Sequence, residues 1–369
     1  MKIRFVLIAF AAVWGLAVSG CAKREGPARV QGEVTTILLT DSTGIDDRSF
    51  NAAAWRGILD FFGESWGNTP GRGRLFEVVT AQTEDFYETN LRNAVDEGHD
   101  LIIATGFTWA ADLGRVAADW PDQNFLIVDV DWVGLPNVMQ AVFAEHDGSF
   151  LVGAAAALKA VEDGIPNPRF GFIGGIPGAL ITKFQVGFVQ GVLSILPDAE
   201  IVDYYVNSWG APALARTQAL NWYGSGVYAI YSAAGASGNG TIIEAMAQRQ
   251  AGRNVWAIGV DSDQFEDGIY NGTDSAVLTS MVKRVESSVV YALNAVRDGN
   301  FSGRTITFDL ALDGVEYSRA NPALSPEINA RLDEIKRQII SGEIVVYPTY
   351  AEALMWVPGF PRGLMAVDG

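Results

Sequence analysis

Short apolar runs recur along the chain, separated by stretches whose apolar positions repeat at helical spacing. The first run, Val34 to Leu39, reads as a buried strand. It leads through the polar turn Thr40 to Asn51 into a helix over Ala52 to Leu59, with Trp55, Ile58, Leu59 and Phe62 on one side. A strand over Leu75 to Val79 follows, then a helix over Tyr87 to Glu97 ended by Gly98. Leu101 to Ala104 is the next buried strand, with the turn Thr105-Gly106-Phe107 behind it. A helix over Ala110 to Asp119 stops before Pro121, and the strand Phe125 to Val128 ends at Asp129 and Asp131. Continuous apolar strands alternating with helices predict a parallel sheet covered on both faces, an α/β fold.

The pattern then starts again. An Ala-rich helix is expected over Gly148 to Val161, followed by strands over Arg169 to Ile173, Ile201 to Val206, Val227 to Tyr231 and Val255 to Val260. Helices over Leu180 to Leu196, Ala213 to Tyr223 and Thr241 to Gln250 lie between them. Two similar αβ units in series predict two lobes with a ligand crevice between them. The tail differs. It reads as a strand (Ala276 to Met281), a helix (Val285 to Val296), a hairpin of Thr305 to Phe308 with Val315 to Tyr317 around Asp313-Gly314, a helix (Pro326 to Ile340) and a short strand at Glu343 to Val346. Such a tail would cross back between the lobes and stitch them together.

Composition narrows the function. With 26 Lys and Arg against 43 Asp and Glu, the formal charge of this 369-residue chain is −17, which argues against binding nucleic-acid backbones. Two histidines, His99 and His146, and one cysteine, Cys21, leave no Cys/His zinc site and no intrachain disulfide to expect, and no cofactor is implied. The N-terminus carries more information. Met1-Lys2-Ile3-Arg4 is basic, and Phe5 to Val18 is apolar but too short for an ordinary membrane-spanning helix. Val18-Ser19-Gly20-Cys21 resembles a bacterial lipobox, which implies a signal peptide over 1–20, a lipid on Cys21 and a tether over 21–32. The folded part would then lie outside the cytoplasm, held at a membrane surface without spanning it.

Polar and aromatic residues gather at the carboxyl ends of the expected strands, where open α/β sheets bind ligands. They are Asp41 to Asn51, Phe107, Asp129 with Asp131, Trp209, Gly235 to Gly240, Asp261 to Gln264 and Lys283. Aromatic plates, carboxylates and a cation suit a ring attached to a polyol. Asp46, Asp47 or Ser49 could instead cap the following helix. Gly235-x-x-Gly238-x-Gly240 lacks the Lys-Ser/Thr of a Walker loop and reads as a close-approach turn before a helix. Asp41 with Asp46 and Asp47 resembles in part the calcium-binding Asp cluster of nucleoside hydrolases. Leu39 stands where that cluster has a carboxylate, however, and the spacing from Asp41 to Asp46 is too long.

Taken in order, several stretches resemble the basic membrane protein family of ABC-transporter substrate-binding lipoproteins, the purine nucleoside receptor type. These are Asp46-Asp47-Arg48-Ser49-Phe50-Asn51, Ala104-Thr105-Gly106-Phe107, Gly148-Ser149-Phe150-Leu151, Gly171-Phe172-Ile173-Gly174-Gly175, Lys183 to Phe188, Ala234-Gly235 with Gly238-Asn239-Gly240, Ile258 to Gln264 and Leu278 to Arg284. The resemblance implies a type I periplasmic binding protein fold with two Rossmann-like lobes. Lobe 1 would take residues 33–143 and 280–300, and lobe 2 residues 144–279 and 301–369. It implies a nucleoside held between Phe50 and Trp209, where the family usually has Phe in place of Trp209. Asp129 would recognise the base, with Asn51 beside it, and the ribose would meet Asp261, Lys283 and the Gly235 backbone. Asp41, Asp46 and Phe107 complete the expected ligand-binding set, although the family often has Asn where Asp46 stands. Further implications are an ABC permease and ATPase as partners, a monomeric binding protein and no catalysis. The rival readings are a calcium-dependent nucleoside hydrolase and a surface lipoprotein for another small ligand.

Overall fold

The first half of the chain alternates β1 (Thr36–Thr40), α1 (Phe50–Phe62), β2 (Phe76–Thr80), α2 (Tyr87–Glu97), β3 (Leu101–Thr105), α3 (Ala110–Asp119), β4 (Asn124–Val128) and β5 (Val138–Phe143). After α4 (Glu145–Glu162) the alternation repeats through β6 (Arg169–Gly174), α5 (Ala179–Ile195), β7 (Glu200–Tyr205), α6 (Pro212–Gly224), β8 (Val227–Ala233), α7 (Asn239–Gln250) and β9 (Trp256–Asp261). A small ribbon of β10 (Ile269–Asn271) and β11 (Asp274–Ser275) precedes β12 (Val277–Lys283). The remainder holds α8 (Val285–Arg297), β13 (Thr305–Phe308), β14 (Val315–Tyr317), α9 (Pro326–Ile340) and α10 (Tyr350–Trp356). This computed structural model describes residues 33–66, 75–365 and 367–368. The expected signal peptide, Cys21 and the tether lie outside the described residues. Among the described residues no helix is long and apolar enough to cross a membrane.

The strands form two sheets in the orders β2-β1-β3-β4-β5-β13 and β7-β6-β8-β9-β12-β14. All pairings are parallel except β14 against β12, and the minor ribbon is antiparallel. Central strands β1, β3, β8 and β9 are buried at every position, as continuous apolar runs between two helical layers require. Helices α4 and α5 pack backbone to backbone in the second lobe. A Cβ on Gly191 would stand 2.0 Å from the Phe150 carbonyl oxygen, and one on Gly153 2.2 Å from that of Phe188. Only glycine permits that approach.

Two expectations for the tail fail, and β5 and the minor ribbon of β10 and β11 were not anticipated. Thr305–Phe308 and Val315–Tyr317 do not form a hairpin. β13 pairs with β5 in the first sheet and β14 with β12 in the second, so the turn between them crosses from lobe to lobe. Glu343 to Val346 is irregular, and the adjoining Tyr347 instead exchanges N–H and C=O bonds with the Gln190 side chain. β5 runs through Gln140, a buried polar residue whose amide bonds to the Val133 N–H and the Thr305 hydroxyl. These pairings move the lobe limits. β12 belongs to the second sheet as far as Lys283, whereas α8 packs against α1 and β13 closes the first sheet. Among the described residues the chain therefore crosses three times, at Ala144, at Arg284 and between Phe308 and Val315. The crossings are bonded to one another, through Ala144 N–H to Phe308 O at 3.1 Å and Arg284 N–H to Gly314 O at 2.9 Å.

Candidate functional site

The turn after β1 is built around two aspartates. Asp47 accepts from the backbone N–H groups of Ser49, Asn51 and Ala52 at 2.8–3.0 Å, so it caps α1. Asp41 accepts from the Thr43 N–H, the Thr43 hydroxyl and the Asn51 amide. The Asn51 carbonyl oxygen accepts from Thr105 at 2.6 Å. Asn51 is thus fixed beside Asp41 and Thr105, and it borders the same cavity as Asp129. Asp46 is exposed and does not border the cleft; the buried carboxylate there is its neighbour Asp47. With Asp46 turned outward and Asp47 occupied by backbone N–H groups, the three aspartates do not converge as a calcium cage would need.

The opposite wall comes from the second lobe. Trp209 follows β7 and lies flat on Gly175, where an added Cβ would meet the indole at 2.1 Å. Its loop is tied to the short 3-10 turn Gly235–Gly238 through Ser237 N–H to Trp209 O at 2.7 Å. Gly235 has a φ of +55°. Gly240 serves packing instead of a phosphate, because a Cβ there would sit 1.9 Å from the Pro212 carbonyl oxygen. Phe107, after β3, meets Trp209 edge to face at 6.3 Å.

Asp129 and Asp261 occupy matching places, at the ends of β4 and β9, and both adopt the left-handed backbone region, with φ of +68° and +62°. Non-glycine residues held there are strained and cluster at functional sites. Lys283, at the end of β12, is 1% exposed and stands 2.5 Å from Asp129 and 3.1 Å from Glu145. Its ammonium also lies over the rings of Phe50, Phe143 and Phe184 at 4.9–5.5 Å. Burial disfavours that charge, but Asp129, Glu145 and Asp261 outweigh it and hold the lysine above its ordinary value. Burial also raises Glu145, yet Lys283 and Lys183 pull it below the usual carboxylate range. One cation cannot satisfy every carboxylate. Burial pushes Asp129 and Asp261 up to about 6 against the pull of Lys283. Burial likewise raises Asp47 to about 6, despite its three N–H donors.

A pH dependence follows from these groups together with two at the first crossing. Burial, Asp309 and Glu145 raise Asp147 to about 7, while burial lowers His146 to about 4. The raised carboxyls bind protons in the folded chain at pH values where the unfolded chain has released them. They therefore contribute stability that is lost as pH rises through about 4 to 7. His146 opposes them between about 4 and 6.5, as a single group against several. Thermal melts of the unliganded chain should show a higher midpoint at pH 5 than at pH 7. A higher midpoint at pH 7 would show that these carboxyls are ionised at little cost.

The two lobes meet over the cleft and are bonded along one side. Ser49 donates to Asp261 at 2.6 Å, Ser262 donates to the Ser49 carbonyl, and Arg56 donates to Ser262. Asn239 donates to the Asp47 carbonyl, and Arg48 pairs with Asp267 at 3.0 Å. Between the lobes lies a cavity of about 70 Å³ bordered by Asp41, Phe50, Asn51, Phe107, Asp129, Trp209, Gly235, Asp261 and Lys283. Of the expected set only Asp46 is outside it. Thr105, Leu180, Ile181 and Phe184 border it too and were not anticipated, as do Thr43 and Asp47, which lie within the Asp41 to Asn51 stretch but outside the expected ligand-binding set. The signal for Asp47 was its place just ahead of the helix, where a carboxylate takes the free N–H groups. Leu180, Ile181 and Phe184 looked like ordinary core positions of an amphipathic helix. A second cavity of about 390 Å³ shares Phe107, Asp129, Leu180 and Ile181 with the first and adds Asp131, Trp132, Glu145 and Lys183.

Residues 34–349 match the family described as ABC transporter substrate-binding protein PnrA-like. The chain is 34% identical to the CD4+ T-cell-stimulating antigen of Listeria innocua, over 90% of this chain and 94% of that one. It is 33% identical to the ABC transporter nucleoside-binding protein BmpA of Lactococcus lactis, over 94% and 99%. Among solved structures, an ABC transporter solute-binding protein of Aeropyrum pernix superimposes with a TM-score of 0.75 at 24% identity, covering 87% of this chain and 97% of that one. A periplasmic solute-binding protein of Actinobacillus succinogenes with bound D-allose gives 0.57 at 13%, covering 78% and 99%. Both are fold likenesses, of the type I periplasmic binding class. The chain belongs to the Bmp family of PnrA-like ABC transporter substrate-binding proteins.

Proposed function

We propose that this substrate-binding protein takes up nucleosides, purine nucleosides first, and presents them to the permease and ATPase of an importer. The observation that carries the reading is the pairing of aromatic rings with buried carboxylates across one cleft. Phe50, Phe107 and Trp209 border the same cavity as Asp47, Asp129 and Asp261. Rings offer faces to a heterocycle, and carboxylates accept from ribose hydroxyls. The nucleoside-binding name of the Lactococcus lactis relative supports the same class. Lys283, held by Asp129 and Glu145, acts chiefly by fixing Asp129, and Asp261, oriented by the Ser49 hydroxyl, is left to meet the sugar. Lobe closure over the ligand removes water and strengthens these bonds. The chain would work as a monomer, outside the cytoplasm, tethered through a lipid on Cys21.

Titration calorimetry of the mature chain with inosine, guanosine, adenosine and the free bases tests the reading. Saturable binding of a nucleoside, tighter than that of its base, is the expected result. Absence of binding to every nucleoside, with binding to a simple sugar instead, would assign the cleft to another solute.

A further inference from the structure

Glu77, Glu97 and His99 meet at the end of the first lobe farthest from the cleft, near the amino-terminal ends of β2 and β3. Glu77 is the second residue of β2, Glu97 the last of α2, and His99 lies in the turn that enters β3. Gly98 between them has a φ of +75°, which lets the chain reverse so that Glu97 and His99 converge. The His99 side chain is 7% exposed, and its Nε2 makes no hydrogen bond. Yet Glu77 Oε1 lies 3.0 Å and Glu97 Oε2 3.5 Å from that nitrogen, and the three atoms lie within 4.8 Å of one another. Ligand atoms on one tetrahedral zinc ion, at the usual bond lengths, stand about 3.3 Å apart. The observed separations bracket that value. The segment is also anchored, because Gln123 donates to the His99 carbonyl oxygen at 2.9 Å.

We propose that Glu77, Glu97 and His99 form a binding site for a divalent transition metal of the zinc class, with water in the fourth position. One imidazole with two carboxylates suits zinc better than magnesium or calcium, which prefer an all-oxygen shell. The bound ion would clamp the edge strand β2 to the turn between α2 and β3. The site is independent of what the cleft binds.

Calorimetry of the metal-free full chain with zinc chloride, in a buffer that does not chelate, tests the site. One saturable zinc per chain is expected, with the visible absorption of low-coordinate cobalt(II) when cobalt replaces it. His99→Gln should abolish this binding. Glu97→Gln, at a half-exposed position that leaves the fold intact, should weaken it at least about tenfold. Zinc should raise the melting temperature of the native chain more than that of Glu97→Gln. No saturable binding, or unchanged affinity in either variant, overturns the site; the first result would leave His99 as a buried neighbour of two glutamates.

Discussion

Lys283→Met is expected to cost about 3–5 kcal/mol of unfolding free energy at pH 7, the usual penalty for removing one partner of a buried ion pair. Methionine keeps the unbranched apolar stem and is only one atom shorter, so the change in packing is small beside the loss of charge. What is lost is the charge that faces Asp129 at 2.5 Å and Glu145 at 3.1 Å, both buried carboxylates. The loss should shrink at pH 5, because Asp129 and Asp261, already raised to about 6, take up protons and need the cation less. Urea unfolding at the two pH values checks both statements. An unchanged midpoint at pH 7 would mean that the carboxylates are compensated by other groups.

Trp209→Ala should raise the nucleoside dissociation constant about 5- to 150-fold, the loss of about 1–3 kcal/mol of base stacking. The unfolding midpoint should fall as well, since the indole is half-buried against Gly175 and Phe107, so binding is measured well below the variant's melting temperature. Phe50→Ala is a poorer test because that ring also lies under the Lys283 ammonium. Asp46→Ala is the matching control: the residue is exposed, off the cavity wall, and should leave the dissociation constant unchanged. Equal affinity of Trp209→Ala and the native chain, by calorimetry, would remove Trp209 from the ligand site.

Much of this architecture is local enough to read from residues. β1, β3, β8 and β9 are apolar along nearly their whole lengths, and that pattern has no other soluble use than a sheet covered on both sides. The strand-end rule then placed Phe50, Phe107, Asp129, Trp209 and Asp261 on one cleft without any contact being known. The failures have nonlocal causes. Asp313-Gly314 is a good turn signal, but which strands pair is decided by the lobe each one reaches, and β13 and β14 reach different lobes. β5 was missed because Gln140 interrupts its apolar run, and the partners of that amide lie on other segments. Asp46 and Asp47 differ by one residue of helical phase, enough to put one in solvent and the other at the helix N-terminus. Glu145 could not be seen as the second partner of Lys283 across the intervening second lobe.

The three crossings also set the order in which the chain can finish folding. The second lobe is almost continuous, from α4 to β12, and lacks only its edge strand β14 and the helices that follow. The first lobe begins the chain but is completed late. α8 covers its sheet through contacts as close as Gly57 against the Glu286 backbone, and β13 closes its edge next to β5. During synthesis and export, the amino-terminal lobe must keep an apolar sheet face and an unpaired strand edge open until residue 308 has emerged. The later lobe can close first. The segment that starts the protein therefore depends for the longest time on whatever guards exposed strands in transit.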